Sequence, residues 1–404
     1  MKKIEGGVCA PVGFRANGVH CGIRKNKTKR DLSLIVSDVR AAAACVYTQN
    51  LVKGAPIRVT KRHVADGYAQ AIVCNSGNAN TCNADGEEIA EGMCALVEGQ
   101  TGIPAADVVV ASTGVIGQPL SLEPIRAGMP SLAEGLSEDG SLFAAQGIMT
   151  TDTVDKQIAY SFMLGGKECR IGAIGKGTGM INPNMATMLI FITTDASISP
   201  EMLQKALSAD VKDSFNMVSV DGDTSTNDMV CVLANGMAEN EPVTAPGKDF
   251  TVFRKALNKV TTALCRSIAK DGEGATKLLE CKVTGAKSRQ AARTVAKSVI
   301  KSSLFKAAMF GADANWGRVL CAIGYAGAEV DIGRVNVDFR SRAGTVAVCR
   351  EGSGIPFSEE EAKKVLSEDE IEVLIRLGDG NGKATAWGCD LTYDYVKING
   401  DYRT

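Results

Sequence analysis

Histidine is nearly missing: the 404 residues hold two, His20 and His63. A histidine-based triad or a histidine-rich metal site would have to use one of them or do without. No C-x-x-C occurs among the thirteen cysteines, whose number is odd and whose spacing is irregular. That excludes a zinc ribbon and a thioredoxin-type motif; small buried thiols in a reducing cytosol are the expected state. No window approaches 18 uncharged apolar residues, so no membrane-spanning helix is expected. Charge of one sign is not in excess either. Lys plus Arg is 45 against Asp plus Glu 46, a net −1, which argues against a basic surface for nucleic acid or anionic membrane. Met1-Lys2-Lys3 runs into Ile4-Glu5-Gly6-Gly7 rather than an apolar stretch. No signal peptide and a cytoplasmic location are therefore expected. Low-complexity tracts, proline-rich linkers and solenoid-period repeats are absent too.

What remains is a globular composition, 45% hydrophobic and 23% charged, long enough for a large core. Apolar runs predict strands at 32–36, 42–47, 70–74, 108–112, 188–192, 371–375 and around 384–398, with a strand pattern over 330–337. Asn75 to Asn80 reads as a polar, Gly-rich turn, and 172–184 as a Gly-rich loop. Helical spacing predicts helices at 87–98 (Ile89, Met93 and Leu96 on one face), 200–214 with Pro200 in the first turn, 253–268 and 292–304. Ser358-x-x-Glu361 is a capping box. Strands and helices mixed in this way imply α/β layers.

The chemistry concentrates in Gly172 to Ile192. Gly175-Lys176 is followed by Gly177, so the hydroxyl of a Walker A loop is missing. Gly175-x-Gly177-x-Gly179 has the wrong last spacing for a dinucleotide fingerprint and leads into a strand. A compact Gly/Asn/Pro loop instead places Ala186 directly before Thr187, at the start of an apolar run. Two readings of Thr187 stay open on these residues. It is a β-branched residue opening a core strand, or it is a nucleophile. A threonine hydroxyl needs a base. Its own α-amine, freed by cleavage of the Ala186–Thr187 bond, would titrate near pH 7.7–8.0 and could serve. Val108 to Ser112 runs into Thr113-Gly114, a turn able to present a hydroxyl and an N–H.

Lys176-Gly177-x-Gly179-Met180 followed by Asn184-Met185-Ala186-Thr187-Met188-Leu189 closely resembles the self-cleavage signature of the ornithine acetyltransferase (glutamate N-acetyltransferase) family. Blocks along nearly the whole chain are similar in the same order. They include Asn75 to Asn80, Ser112 to Gly117, Met149 to Thr153, Asp221 to Asp228, Asp271 to Lys277, Gly311 to Arg318 and Val396 to Thr404.

The resemblance implies an enzyme of arginine biosynthesis that moves acetyl from N2-acetylornithine to glutamate through an acetylated threonine, here Thr187. It implies cleavage between Ala186 and Thr187 into an α chain, 1–186, and a β chain, 187–404. It implies a layered αββα-type sandwich shared by both, and an α2β2 assembly. Thr113 and Gly114 would form the oxyanion hole. Thr150, Lys176, Thr187, Glu273, Asn399 and Thr404 would contact substrate. Lys176 suits a carboxylate, and Glu273 or the terminal carboxylate of Thr404 suits the ammonium of ornithine. No metal or cofactor is implied; some members also accept acetyl-CoA as a substrate, and no residue here decides that. A neighbouring reading is an autoprocessed N-terminal-threonine amidohydrolase or aminopeptidase with water as acceptor; a distant one is a binding protein without catalysis. The Asp-rich run from Asp221 fails the EF-hand pattern, with Thr226 where loop position six needs glycine. It reads as a polar turn that positions the loop before Thr187. Trp316 reads as packing, and both histidines as structural or surface residues.

Overall fold

A computed structural model of the chain describes residues 1–181 and 188–400. Its organising element is a 16-residue strand, Leu32–Tyr47. The two apolar runs at 32–36 and 42–47 are halves of this one strand, joined through the exposed Asp38, Val39 and Arg40. Pairing with the next strand, Tyr68–Asn78, shifts register between Val36 and Ala41. Side chains alternate along both halves. Ile35, Ala43 and Cys45 enter one apolar cluster, Leu34 and Val36 a second, and Ala42, Ala44 and Val46 a third. Both faces are buried, so the strand reads as continuous apolar sequence rather than as alternation.

Among the described residues nine strands make this sheet. Eight lie in the order Lys2–Ile4, Lys156–Leu164, Lys167–Lys176, Leu189–Thr194, Met229–Ala234, Leu32–Tyr47, Tyr68–Asn78, Val108–Val115. The ninth, Phe14–Val19, pairs with the first half of Leu32–Tyr47. The sheet folds over at its long strand. Phe14, Ile72, Cys74, Val109 and Ala111 from one half share a core with Ile174, Leu189, Phe191, Cys231 and Leu233 from the other. Helices Gly86–Thr101 and Leu122–Glu134 cover the outside of the first half. Helices Pro200–Asp210 and Lys248–Lys270 cover the second. The expected layered α/β sandwich is present, its two sheet layers being halves of one sheet.

A second sheet, of seven strands among the described residues, lies beyond helix Lys248–Lys270, which touches both sheets. Its order is Ser353–Gly354, Gly344–Arg350, Asn336–Ser341, Glu370–Arg376, Leu278–Ala286, Gly382–Cys389, Val218–Ser219. Helix Arg289–Lys301 packs on its two strands Leu278–Ala286 and Gly382–Cys389. In the first sheet, strand Leu189–Thr194 lies between Lys167–Lys176, antiparallel, and Met229–Ala234, parallel. Segments from both sides of position 186/187 therefore supply adjacent strands of one sheet, and that bond is no domain boundary. The bond itself lies outside the described residues.

Local signals account for most element ends. Ser199 accepts from the Met202 N–H and Pro200 opens the helix; Ser358 accepts from the Glu361 N–H, as the capping box requires. Phe253, Leu257, Val260, Leu264 and Ile268 are all buried on helix Lys248–Lys270, which stops before Asp271. Several expectations change. In helix Gly86–Thr101 the buried face is Ala90, Met93, Cys94 and Val97; Ile89 and Leu96 are only half-buried. The helix expected over 292–304 ends at Lys301, because Ser302 caps a new helix, Ser303–Phe310. The apolar alternation over 330–337 gives a strand only from Asn336, since the Asp331 side chain accepts from the Gly333 N–H and turns the chain. The stretch around 384–398 is a strand, Gly382–Cys389, and then a helix, Tyr393–Gly400. Val396 and Ile398 alternate like a strand, but Val396 is 68% exposed, so this alternation carries no burial. Among the described residues no helix is long and apolar enough to cross a membrane.

Candidate active site

Strand pairing builds the first wall. The strand expected to end at Ser112 continues to Val115, and the presumed turn at Asn75 is strand through Asn78. The two run parallel, Ser76 beside Thr113 and Gly77 beside Gly114. Gly114 has φ +134°, and a Cβ there would stand 2.3 Å from the Gly77 carbonyl carbon and 2.5 Å from the Asn78 nitrogen. Glycine is required because two backbones meet at this point. The polar Asn/Ser residues stay in the ladder because their side chains are satisfied inside it. Asn75 accepts from Ser112 Oγ (2.6 Å) and donates to the Asn78 carbonyl (3.0 Å).

The opposite wall supplies charge. Strand Lys167–Lys176 takes up the first residues of the expected Gly-rich loop, because Gly172 and Gly175 lie in a regular ladder with Lys156–Leu164. Its last residue, Lys176, is buried, with Nζ 3.5 Å from Thr113 Oγ1. Burial draws the Lys176 ammonium below its ordinary pKa; Asp152 opposes this most strongly, Lys156 adds to it, and Asp228 and Glu273 oppose it. The Asp152 carboxyl is pushed up by burial, but Lys176, Lys156 and hydrogen bonds outweigh that and hold it at about 2. Burial places the Asp228 carboxyl well above the carboxylate range, and its Oδ2 has no partner among the described residues.

Glu273 follows helix Lys248–Lys270 and is tied on three sides. It accepts from Thr151 Oγ1 (2.7 Å) and from Asn399 Nδ2 (2.8 Å), and its N–H donates to the Thr178 carbonyl (3.0 Å). Gly179 passes so close that a Cβ would be 2.5 Å from Glu273 Oε2. Asp221 accepts from the N–H groups of Met180 and Ile181 at 2.6 and 2.9 Å. The Asp-rich turn therefore holds Met180 and Ile181; the rest of the loop before Thr187 lies outside the described residues. The same turn places Asn227 across from the first wall. Its Nδ2 donates to the Ser112 and Ala79 carbonyls, and its Oδ1 accepts from Thr81 and Thr226 hydroxyls.

Thr113, Gly114, Thr150, Lys176, Glu273 and Asn399 all line one cleft, with Thr151, Asp228 and Tyr395. Ala186, Thr187 and Thr404 lie outside the described residues. The residue reading passed over Asn227, Asp152 and Asp271, although each stands in one of the sequence blocks noted above. Trp316 is not in the cleft; it packs against Gly354, where a Cβ would be 2.3 Å from its ring. His63 bonds the Val108 carbonyl and Glu91, and His20 the Lys29 carbonyl, both away from the cleft. Ten of the thirteen cysteines are buried; Cys82 and Cys321 are exposed.

A narrow polar cleft with one buried cation, facing carboxylates and a Thr-Gly pair at a strand end is the site of an α/β enzyme for small charged substrates. Comparison with known proteins gives the particular family. The ArgJ family model matches residues 15–404. Arginine biosynthesis bifunctional protein ArgJ 1 of Clostridium acetobutylicum is 50% identical over 97% of this chain and 96% of its own. Its counterpart in Caldanaerobacter subterraneus subsp. tengcongensis is 48% identical over the full length of both. The crystal structure of the Bacillus halodurans argJ protein shares 50% identity and a TM-score of 0.50, across 52% of this chain and 98% of that one. The chain belongs to the ArgJ family.

Proposed function

We propose that the chain is a glutamate N-acetyltransferase of arginine biosynthesis, acting in the cytoplasm on N2-acetylornithine and glutamate. The observation that carries this reading is the convergence of Thr113–Gly114, Lys176, Glu273 and Asn399 on one cleft of an ArgJ-family chain. Residues 1–186 and 187–404 are, on this reading, α and β chains formed by self-cleavage and assembled as α2β2. The interleaved strands on either side of position 186/187 support their staying together. The Bacillus halodurans chain, matched almost entirely by half of this one, supports products of about half length.

The reaction proceeds in two halves. The Thr187 α-amine takes the proton of the Thr187 hydroxyl as the oxygen attacks the acetamide carbon of acetylornithine. The carbonyl oxygen becomes an oxyanion, and Thr113 and the Gly114 N–H hold it, at about 3 kcal/mol per donor. Lys176 donates to Thr113 Oγ1, which leaves the Thr113 proton free to point at the oxyanion. The C–N bond then breaks, the α-ammonium returns its proton to the departing amine, and acetyl remains as an ester on Thr187. Glutamate enters, its neutral amine attacks the ester, and the threonine oxygen leaves with a proton. Lys176 pairs with substrate carboxylate and Glu273, oriented by Thr151 and Asn399, with the ornithine ammonium; Thr150 and the Thr404 carboxylate complete the contacts. No cofactor is required. The relatives are named bifunctional; on our reading the second activity would be acetylation of glutamate with acetyl-CoA as donor.

Intact-mass spectrometry tests the reading. The wild-type protein should show two chains split at Ala186–Thr187, an acetyl mass on the β chain after acetylornithine, and loss of that mass on adding glutamate. Thr187→Ala should stay one chain. An uncleaved wild-type chain that still transfers acetyl would overturn the N-terminal-threonine mechanism. Release of acetate at an unchanged rate with and without glutamate would favour the amidohydrolase instead.

A further inference from the structure

Three of the segments that reach the cleft meet behind it at one buried ion cluster. Lys156 Nζ lies 2.7 Å from Asp152 and 2.5 Å from Asp271, and all three side chains are at most 6% exposed. Asp152 also accepts from the Thr150 N–H (2.9 Å) and the Gly177 N–H (2.9 Å). It thereby ties the Thr150 segment to the residue after Lys176. Asp271 accepts from the Thr153 N–H (3.2 Å) and from the Thr153 hydroxyl, and stands two residues before Glu273. It ends helix Lys248–Lys270, where the helix dipole disfavours a carboxylate. Lys156 offsets that.

We infer that Asp152, Lys156 and Asp271 are positioning residues for the acetyl-transfer site: they fix Thr150, Lys176 and Glu273 relative to one another and set the charge that Lys176 carries. The inference rests on the proposed function, because it assigns Lys176 to the substrate carboxylate. The cluster has two cations and two carboxylates once Lys176 is included. Asp228, Glu273 and the buried Cys74 thiol also face Lys176, and Lys156, paired with the two aspartates, faces Lys176 as a second cation. A buried set of this kind is weak evidence for stability, since hydrophobic replacement of a whole pair is often neutral. Its use is in placing and charging the group that meets the substrate.

Two variants separate this from a structural role. Asp271→Asn removes one carboxylate and leaves the Lys156 charge less compensated, so Lys176 should lose its proton at lower pH. The double variant Asp271→Asn with Lys156→Met removes that cation as well and leaves no unpaired charge of the pair buried. The alkaline fall of kcat/KM for acetylornithine should then move down by about one pH unit in the single variant and back up by about as much in the double. The acetylornithine amine titrates identically in all three proteins, so the differences belong to the enzyme. Shifts of opposite sign would support the inference. Unmoved alkaline limbs, or a plain loss of rate in both variants, would overturn it. Wild-type protein with no acetyl transfer at all would instead overturn the proposed function.

Discussion

Replacing Asn227 with alanine should loosen the wall that carries Thr113 and Gly114. Asn227 is buried, and its carboxamide is saturated, with two donated and two accepted hydrogen bonds. The Thr81 and Thr226 hydroxyls, at 3.5 Å from each other, can turn to one another after truncation. The Ser112 carbonyl loses its side-chain donor, whereas the Ala79 carbonyl keeps the Thr81 hydroxyl, 3.2 Å away. Each buried polar group left unpaired costs about 1–3 kcal/mol, so with one carbonyl orphaned the loss should be about 1–3 kcal/mol. At roughly 2 °C per kcal/mol for a chain larger than 150 residues, Tm should fall by about 2–6 °C. On the proposed self-cleavage, measuring this in a Thr187→Ala background keeps both proteins as single chains. In the active protein kcat should fall further than KM changes, because Ser112 directly precedes Thr113 and Gly114, the proposed oxyanion hole. One oxyanion donor is worth about 10²–10³ in kcat, so a partial displacement predicts a loss of about tenfold to a hundredfold. A variant with wild-type Tm and wild-type kcat would refute the reasoning. A lowered Tm with unchanged kcat would refute the link from Asn227 to Thr113 while leaving the energetic argument intact.

Two further outcomes follow from the site. Gly179→Ala puts a methyl group 2.5 Å from the Glu273 carboxylate, so KM for acetylornithine should rise about tenfold with only a small change in Tm, read from initial rates and a melting scan. Asp152 is held at about 2 in the folded chain, below its ordinary value of about 3.9. The stability it contributes, about 2–3 kcal/mol, is fully present above pH 4 and is lost as pH falls toward 2. Tm of the wild type should therefore drop more steeply than that of Asp152→Asn between pH 4 and 2, and parallel curves would refute the assignment.

Much of the fold was legible because long amphipathic elements announce their period. Helix Lys248–Lys270 and helix Pro200–Asp210 were found from spacing and a single proline. The misreadings share a cause. Asn75 to Asn78 and Gly172 to Lys176 have turn-like composition, yet both are strand. Their polar groups and glycines are satisfied by neighbours distant in sequence, Val108–Val115 in one case and Lys156–Leu164 in the other. Conversely, the alternation at Val396 and Ile398 promised a strand and gave an exposed helix, because no sheet edge takes it up. Of the site, Thr150, Lys176, Glu273 and Asn399 were assigned by resemblance alone, while Thr113 and Gly114 also stood out as a turn able to present a hydroxyl and an N–H. Taken singly, Lys176 reads as a loop charge and Asn399 as part of a tail.

By itself the sequence determined the class of chain, α/β, and its cysteine spacing excluded a zinc ribbon. Through its ordered blocks it also determined the family, since these are local properties of composition, period and motif. Tertiary structure alone decided that a single sheet folds at Asp38–Arg40 to make both layers. It alone brought the strands around position 186/187 side by side and placed Lys156 between Asp152 and Asp271. The reason is physical: a buried lysine and a solvated one have the same letter. Only the packing of three separated segments determines which charges face each other without water between them.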